Sequence, residues 1–165
     1  MAATVEVKKC TGTDAGIETS VSGIALKSVD DATTSAANAS VQILDSGNNY
    51  SYESWIRFKV TTMGGSSQLT NFKIWGSGAS VATGVTFTIN TDAVDTGVTP
   101  VDTQSAQGTR DDFANHGSGS KIDIAGTLVG DNEETDYAVF QEDVADTASP
   151  GAIPQQTCYY SYDES

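Results

Sequence analysis

The chain predicts an all-β fold: a two-sheet β-sandwich of jelly-roll or immunoglobulin-like kind, with long loops and little helix. Three observations predict it. Apolar residues recur at every second position in short runs, the period of a half-buried strand. The runs are separated by clusters of Gly, Ser, Thr, Asn and Asp, the residues that make turns. No window carries the i, i+3, i+4 apolar stripe of an amphipathic helix. A length of 165 residues suits one well-buried domain spanning 1–165 and is short for two.

Residues 4–9 (TVEVKK) alternate and make a first strand; a short N-terminal arm over 1–12 reaching to a neighbouring molecule is the alternative. From Thr11 to Ser40 the chain is rich in Gly, Ser, Thr and Ala and reads as loop, except SGIALKSV (22–29), where Ile24 and Leu26 share a face. SVQILD (40–45) is another short strand. SYESWIRFKVTT (51–62) and LTNFKIWGSG (69–78) form the most regular pair and are expected as a hairpin closed by MGGSSQ (63–68). Ile56, Phe58 and Val60 share one face of the first strand, and Phe72 and Ile74 one face of the second; Trp55, Arg57, Lys59, Lys73 and Trp75 fall on the opposite faces.

TGVTFTIN (83–90) is the next strand, with Val85, Phe87 and Ile89 together. Residues 91–120 lose periodicity and read as a long surface loop. KIDIAGTLVG (121–130) and TDYAVFQEDV (135–144) restore order around an acidic turn at 130–134, and Ala138, Phe140 and Val144 share a parity. A Pro-containing break at 146–155 leads to a last strand, TCYYSYDES, which alternates to the final residue.

The formal charge of −14 is unevenly placed: residues 1–75 hold seven acids and six bases, residues 76–165 fifteen acids against Arg110 and Lys121. Nucleic acid and anionic lipid are bound through Lys and Arg, so this balance argues against both as partners. No apolar run reaches the ~18–20 residues of a membrane span, and MAATVEVKKC lacks the basic and apolar regions of an export signal, so synthesis in a cytoplasm is expected. Cys10 and Cys158 are far apart in sequence; a disulfide is open geometrically, but cytoplasmic synthesis favours free thiols, and with a lone histidine they offer no zinc spacing.

Chemistry is sparse. His116 lies near Asp111, Asp112 and Ser118, but no GxSxG elbow surrounds the serine, and no catalytic residue is assigned. Asp92, Asp95, Asp102 and the cluster Asp131, Asn132, Glu133, Glu134 and Asp136 offer hard oxygen ligands, yet none follows a calcium-loop pattern, so no metal ligand and no cofactor is assigned. What remains is Trp55, Arg57, Lys59, Lys73 and Trp75, a mixed aromatic and basic platform. It fits a subunit or partner contact, where Trp and Arg are enriched, or a sugar-stacking surface. A basic face opposed to an acidic C-terminal half also suggests head-to-tail packing of copies.

Four segments, SYESWIRFKVTT, LTNFKIWGSG, TDYAVFQEDVADTASPGAI (135–153) and YYSYDES (159–165), together about a third of the chain, resemble a group of small β-rich structural proteins of tailed bacteriophages. Tyr52, Trp55 and Arg57 match its first strand, and Asn71, Phe72, Lys73 and Trp75 its second. Tyr137, Gln141, Pro150 and Gly151 match later, and Tyr162, Asp163 and Glu164 close the match. The resemblance implies a virion protein assembled in the host cytoplasm and partnered by phage capsid or other virion proteins. A capsid decoration protein, homo-oligomeric and commonly trimeric, is the first expectation; a head-tail adaptor, tail-terminator or tail-tube protein, or a carbohydrate-binding module, are the alternatives.

Overall fold

The computed structural model describes residues 1–12, 16–34, 39–78, 81–92, 110–151 and 155–165. Among the described residues ten strands follow one another: β1 (Thr4–Thr11), β2 (Ile17–Ser20), β3 (Asn49–Tyr50), β4 (Ser54–Thr62), β5 (Leu69–Gly76), β6 (Val85–Asn90), β7 (Asp111–Asp112), β8 (Ile122–Ile124), β9 (Ala138–Val144) and β10 (Cys158–Glu164). The helical content among them is one 3-10 turn, Phe113–Asn115. Seven strands make a large sheet in the order β2-β1-β4-β9-β6-β7, with β3 also on β9; β10-β5-β8 make a small one. Every pairing is antiparallel. The expected two-sheet, nearly helix-free architecture is therefore present.

The core lies between the sheets. Ile56, Phe58 and Val60 of β4, Ala138 and Phe140 of β9 and Ile89 of β6 meet Leu69, Phe72 and Ile74 of β5 and Ile124 of β8 in one buried cluster. Each large side chain so buried contributes about 1.5–3 kcal/mol. The alternating faces of β4 and β9 are those that the period of two prescribes.

β4 and β5 do not form the expected hairpin. The neighbours of β4 are β1 and β9, and those of β5 are β10 and β8. Residues 63–68 instead carry the chain across from one sheet to the other. Each strand has one predominantly apolar face, so stacking the two faces against each other buries both, whereas lying side by side would leave that task to other segments. The crossing depends on Gly64, whose φ is 63°; a Cβ there would stand 2.3 Å from the Met1 carbonyl oxygen. The Gly65 N–H donates to that same oxygen at 2.8 Å.

Within β5 the period is broken once. Leu69 and Phe72 both face the core although one is odd and the other even, because Asn71 adopts φ 54° and bulges out of the ladder. The β10 register skips accordingly, from Ser161 opposite Lys73 to Asp163 opposite Thr70. Asn tolerates the left-handed region better than other residues with a Cβ, and its Nδ2 donates to Asp163 Oδ2 at 2.7 Å.

Other expectations need correction. Residues 22–29 and 40–45 are not strands. Ile24 and Leu26 nevertheless pack on the core, so the 21–34 segment covers apolar surface without a ladder. Its path is fixed by side chains instead: Lys9 Nζ donates to the Asp31 carbonyl at 2.7 Å, Gly12 N–H to Asp30 Oδ2 at 2.9 Å, and Lys27 Nζ is ion-paired with Asp31. An unexpected strand, β2, forms within the Gly-rich stretch. Of the long 91–120 loop, 93–109 lie outside the described residues, but β7 and the 3-10 turn add ordered structure, and buried Phe113 meets Phe140 edge-on at 5.2 Å. Thr4–Thr11 of the N-terminal segment pairs inside its own chain, between β2 and β4. Both cysteines are free thiols, Cys10 buried and Cys158 exposed.

Candidate functional site

The five aromatic and basic residues expected on one platform occupy two separate places. Trp55, Arg57 and Lys59 lie on the face of β4 turned away from the core. Trp55 is only 4 % exposed; it meets Tyr137 edge-on at 4.9 Å and donates from Nε1 to Glu53 Oε2 at 3.0 Å. With Cys10, Tyr137 and Val139 it forms a second small apolar cluster. Burial there pushes the Cys10 thiol up to about 11.

Arg57, 8 % exposed, lies 5.0 Å from the Tyr137 ring centroid and pairs with Glu18 of β2 and, at 2.7 Å, with Glu134. Lys59 reaches the same two carboxylates at 3.3 and 2.6 Å. Two cations and two anions therefore close a ring. Burial is the largest single influence and opposes the charge on Arg57 and on Glu18, but the hydrogen bond between them and the surrounding charges together outweigh it, so the guanidinium titrates above its usual range and the carboxyl below. The bond to Glu134 likewise raises the Lys59 ammonium. These residues join β2 and β4 to the 133–137 segment, and the charges of Arg57 and Lys59 are met within the chain.

Lys73 and Trp75 are elsewhere, on the outer face of the small sheet. Trp75 stacks on Tyr159 of β10, with centroids 5.8 Å apart and 20° between planes, while Lys121 Nζ stands 4.1 Å from the indole centroid. β10 and β8 flank β5 on opposite sides, so the indole is held between the two. Lys73 pairs with Asp123 of β8, and Asn71 with Asp163 of β10. The result is a firm mixed surface whose most accessible aromatic group is Tyr159, 46 % exposed, at the β10 edge. Trp75 is thus contacted by both Tyr159 and Lys121.

Tyr159, Lys121 and Asp123 were not among the expected contact residues. The alternation of the last strand places Tyr159 opposite in parity to Tyr160 and Tyr162, a signal that the face exists; which strand it lies beside is tertiary information.

The remaining candidates are occupied locally. His116 Nδ1 is 3.0 Å from the Ser120 carbonyl oxygen, and its Nε2 is 3.9 Å from Asp111 Oδ2; among the described residues no hydrogen bond joins Ser118 to it. Asp131 Oδ1 accepts from the Met63 N–H at 2.6 Å, Glu133 Oε2 from Val129, and Glu134 belongs to the ion ring. Among the described residues no group of three or more His, Cys, Asp and Glu side chains is arranged to hold a metal ion. Asp95 and Asp102 lie outside the described residues.

No protein-family model, curated protein or solved structure matches the chain.

Proposed function

We propose that the protein is a structural component of a tailed-phage virion, a decoration protein that grips the outer capsid surface through the outer face of its small sheet. The observation that carries this reading is the Tyr159–Trp75–Lys121 stack: a preformed aromatic and cationic surface on three paired strands, whose side chains are already ordered by one another. Aromatic and basic anchors that are ordered before binding lose little entropy on attachment, which is what contact hot spots require. The sequence resemblance of segments 51–62, 69–78, 135–153 and 159–165 to phage structural proteins supports the same reading.

Binding of purified protein to capsids assembled without it tests the proposal. Trp75→Ala should weaken attachment by about 2 kcal/mol or more. Undiminished binding by that variant would remove the face from the contact, and localisation to the tail or connector of the intact particle would replace decoration by an adaptor or tail role.

A further inference from the structure

β10 is the outermost strand of the small sheet, and five of its seven residues are exposed. Its bonding pattern can be read from its two ends. The Ser77 N–H donates to the Thr157 carbonyl at 2.9 Å, and Ser165 and Gln68 exchange N–H···O bonds at 3.1 and 3.3 Å. In an antiparallel ladder bonded and non-bonded pairs alternate. Tyr159, Ser161 and Asp163 therefore turn their backbone groups towards β5, while Cys158, Tyr160, Tyr162 and Glu164 turn theirs outward. Among the described residues no backbone bond takes up that outward row.

We infer that this row pairs with β10 of a second copy, antiparallel about a two-fold axis through Ser161, to give a dimer with a sheet continuous across both copies. Three features select this occupant and register. A two-fold axis normal to the sheet keeps each residue on its own face, so only residues of equal parity can stand opposite. Centring on Ser161 is the one such register that overlaps all of Cys158–Glu164. It also suits the charges: Asp163 and Glu164 of one copy stand opposite Tyr159 and Cys158 of the other, so no carboxylate faces a carboxylate, and Tyr160 meets Tyr162. Like charges directly opposite would destabilise the pair; a parallel arrangement of the same strands would impose them. The other edges are shorter: β2 has four residues, β8 three and β7 two. A trimer would require β10 to pair with one of these. The inference concerns the strand edge, not the face assigned to capsid attachment, and stands or falls independently of it.

Ser161 would meet its own counterpart in a non-bonded pair, about 4.5 Å between Cα atoms, within disulfide range. The test measures the mass of the full chain by sedimentation at micromolar concentration, then the crosslinking of Ser161→Cys in a Cys158→Ser background under mild oxidation. A two-chain mass with efficient Ser161→Cys crosslinking supports the inference, provided that Asp163→Cys in the same background, whose thiols would lie several residues apart along the strand, crosslinks poorly. A monomer or trimer mass, a dimer in which Ser161→Cys does not crosslink, or equal crosslinking by both variants overturns it. Mixing Ser161→Lys with Ser161→Glu chains adds a second reading. Each alone should be monomeric and the mixture dimeric; dimers from either variant alone would overturn the register.

Discussion

Phe58 of β4 and Phe72 of β5 stack across the interior with ring centroids 5.9 Å apart and 15° between their planes. One belongs to each sheet. This contact holds together the two layers that the 63–68 crossing connects, and Tyr160 and Tyr162 extend it, at 4.9 Å from Phe58 and 5.6 Å from Phe72. Replacing either phenylalanine by alanine should cost about 3–5 kcal/mol. Urea unfolding of the two single variants and the double one checks this, and the double variant should lose less than the sum, since the contact can be removed only once.

Glu142 lies on the core side of β9, 3 % exposed, and its Oε1 has no hydrogen-bond partner among the described residues. Burial raises its carboxyl from 4.5 to about 7. The folded state thus holds this proton where the unfolded state has released it, and stability falls as pH rises between those two values. The loss, on the order of 3 kcal/mol, is complete above the folded value. Glu142→Gln should accordingly raise the melting temperature at pH 8 and leave it nearly unchanged at pH 4, which paired thermal melts would show.

The ion ring predicts an asymmetry. Arg57→Ala leaves Glu18 and Glu134 close together and largely buried with Lys59 as their shared cation, and should cost about 3–5 kcal/mol. Arg57→Met combined with Glu18→Gln and Glu134→Gln, which removes the charge on both sides, should recover much of that. Denaturant midpoints of the two variants decide it: equal losses would show that packing, not charge balance, governs the site.

Gly64→Ala should destabilise by more than the ~1 kcal/mol usual for a strained left-handed position, because the new methyl meets the Met1 and Ala2 carbonyl oxygens as well. Deleting Met1 and Ala2 in the same chain should return part of the loss, and chemical unfolding of both variants measures it.

Much of this architecture was legible. β1, β4, β5, β6, β9 and β10 announce themselves by alternation, and the inward sets, Ile56 with Phe58 and Phe72 with Ile74, follow from it. Alternation does not say whether consecutive strands pair or stack, because a six-residue Gly/Ser loop serves either connection; that is why 63–68 reads as a hairpin and proves to be a crossing. Apolar content likewise fails to separate a strand from a covering segment: Ile24 and Leu26 reach the core from irregular chain. For the contact residues, parity correctly put Trp55, Arg57 and Lys59 opposite the core. It could not show that Glu18 and Glu134, distant in sequence, would take up their charge, nor that Tyr159 and Lys121 would flank Trp75.

The segment after β2 bears on how the molecule meets a protease. Lys9 and Lys27 are each 2 % exposed, fastened beneath the run of chain that composition marks as loop, whereas Lys121 stands at an exposed position. Trypsin should therefore spare the glycine- and serine-rich N-terminal third and cut first near Lys121, so that the region which reads as the softest in the sequence outlasts one that reads as ordered.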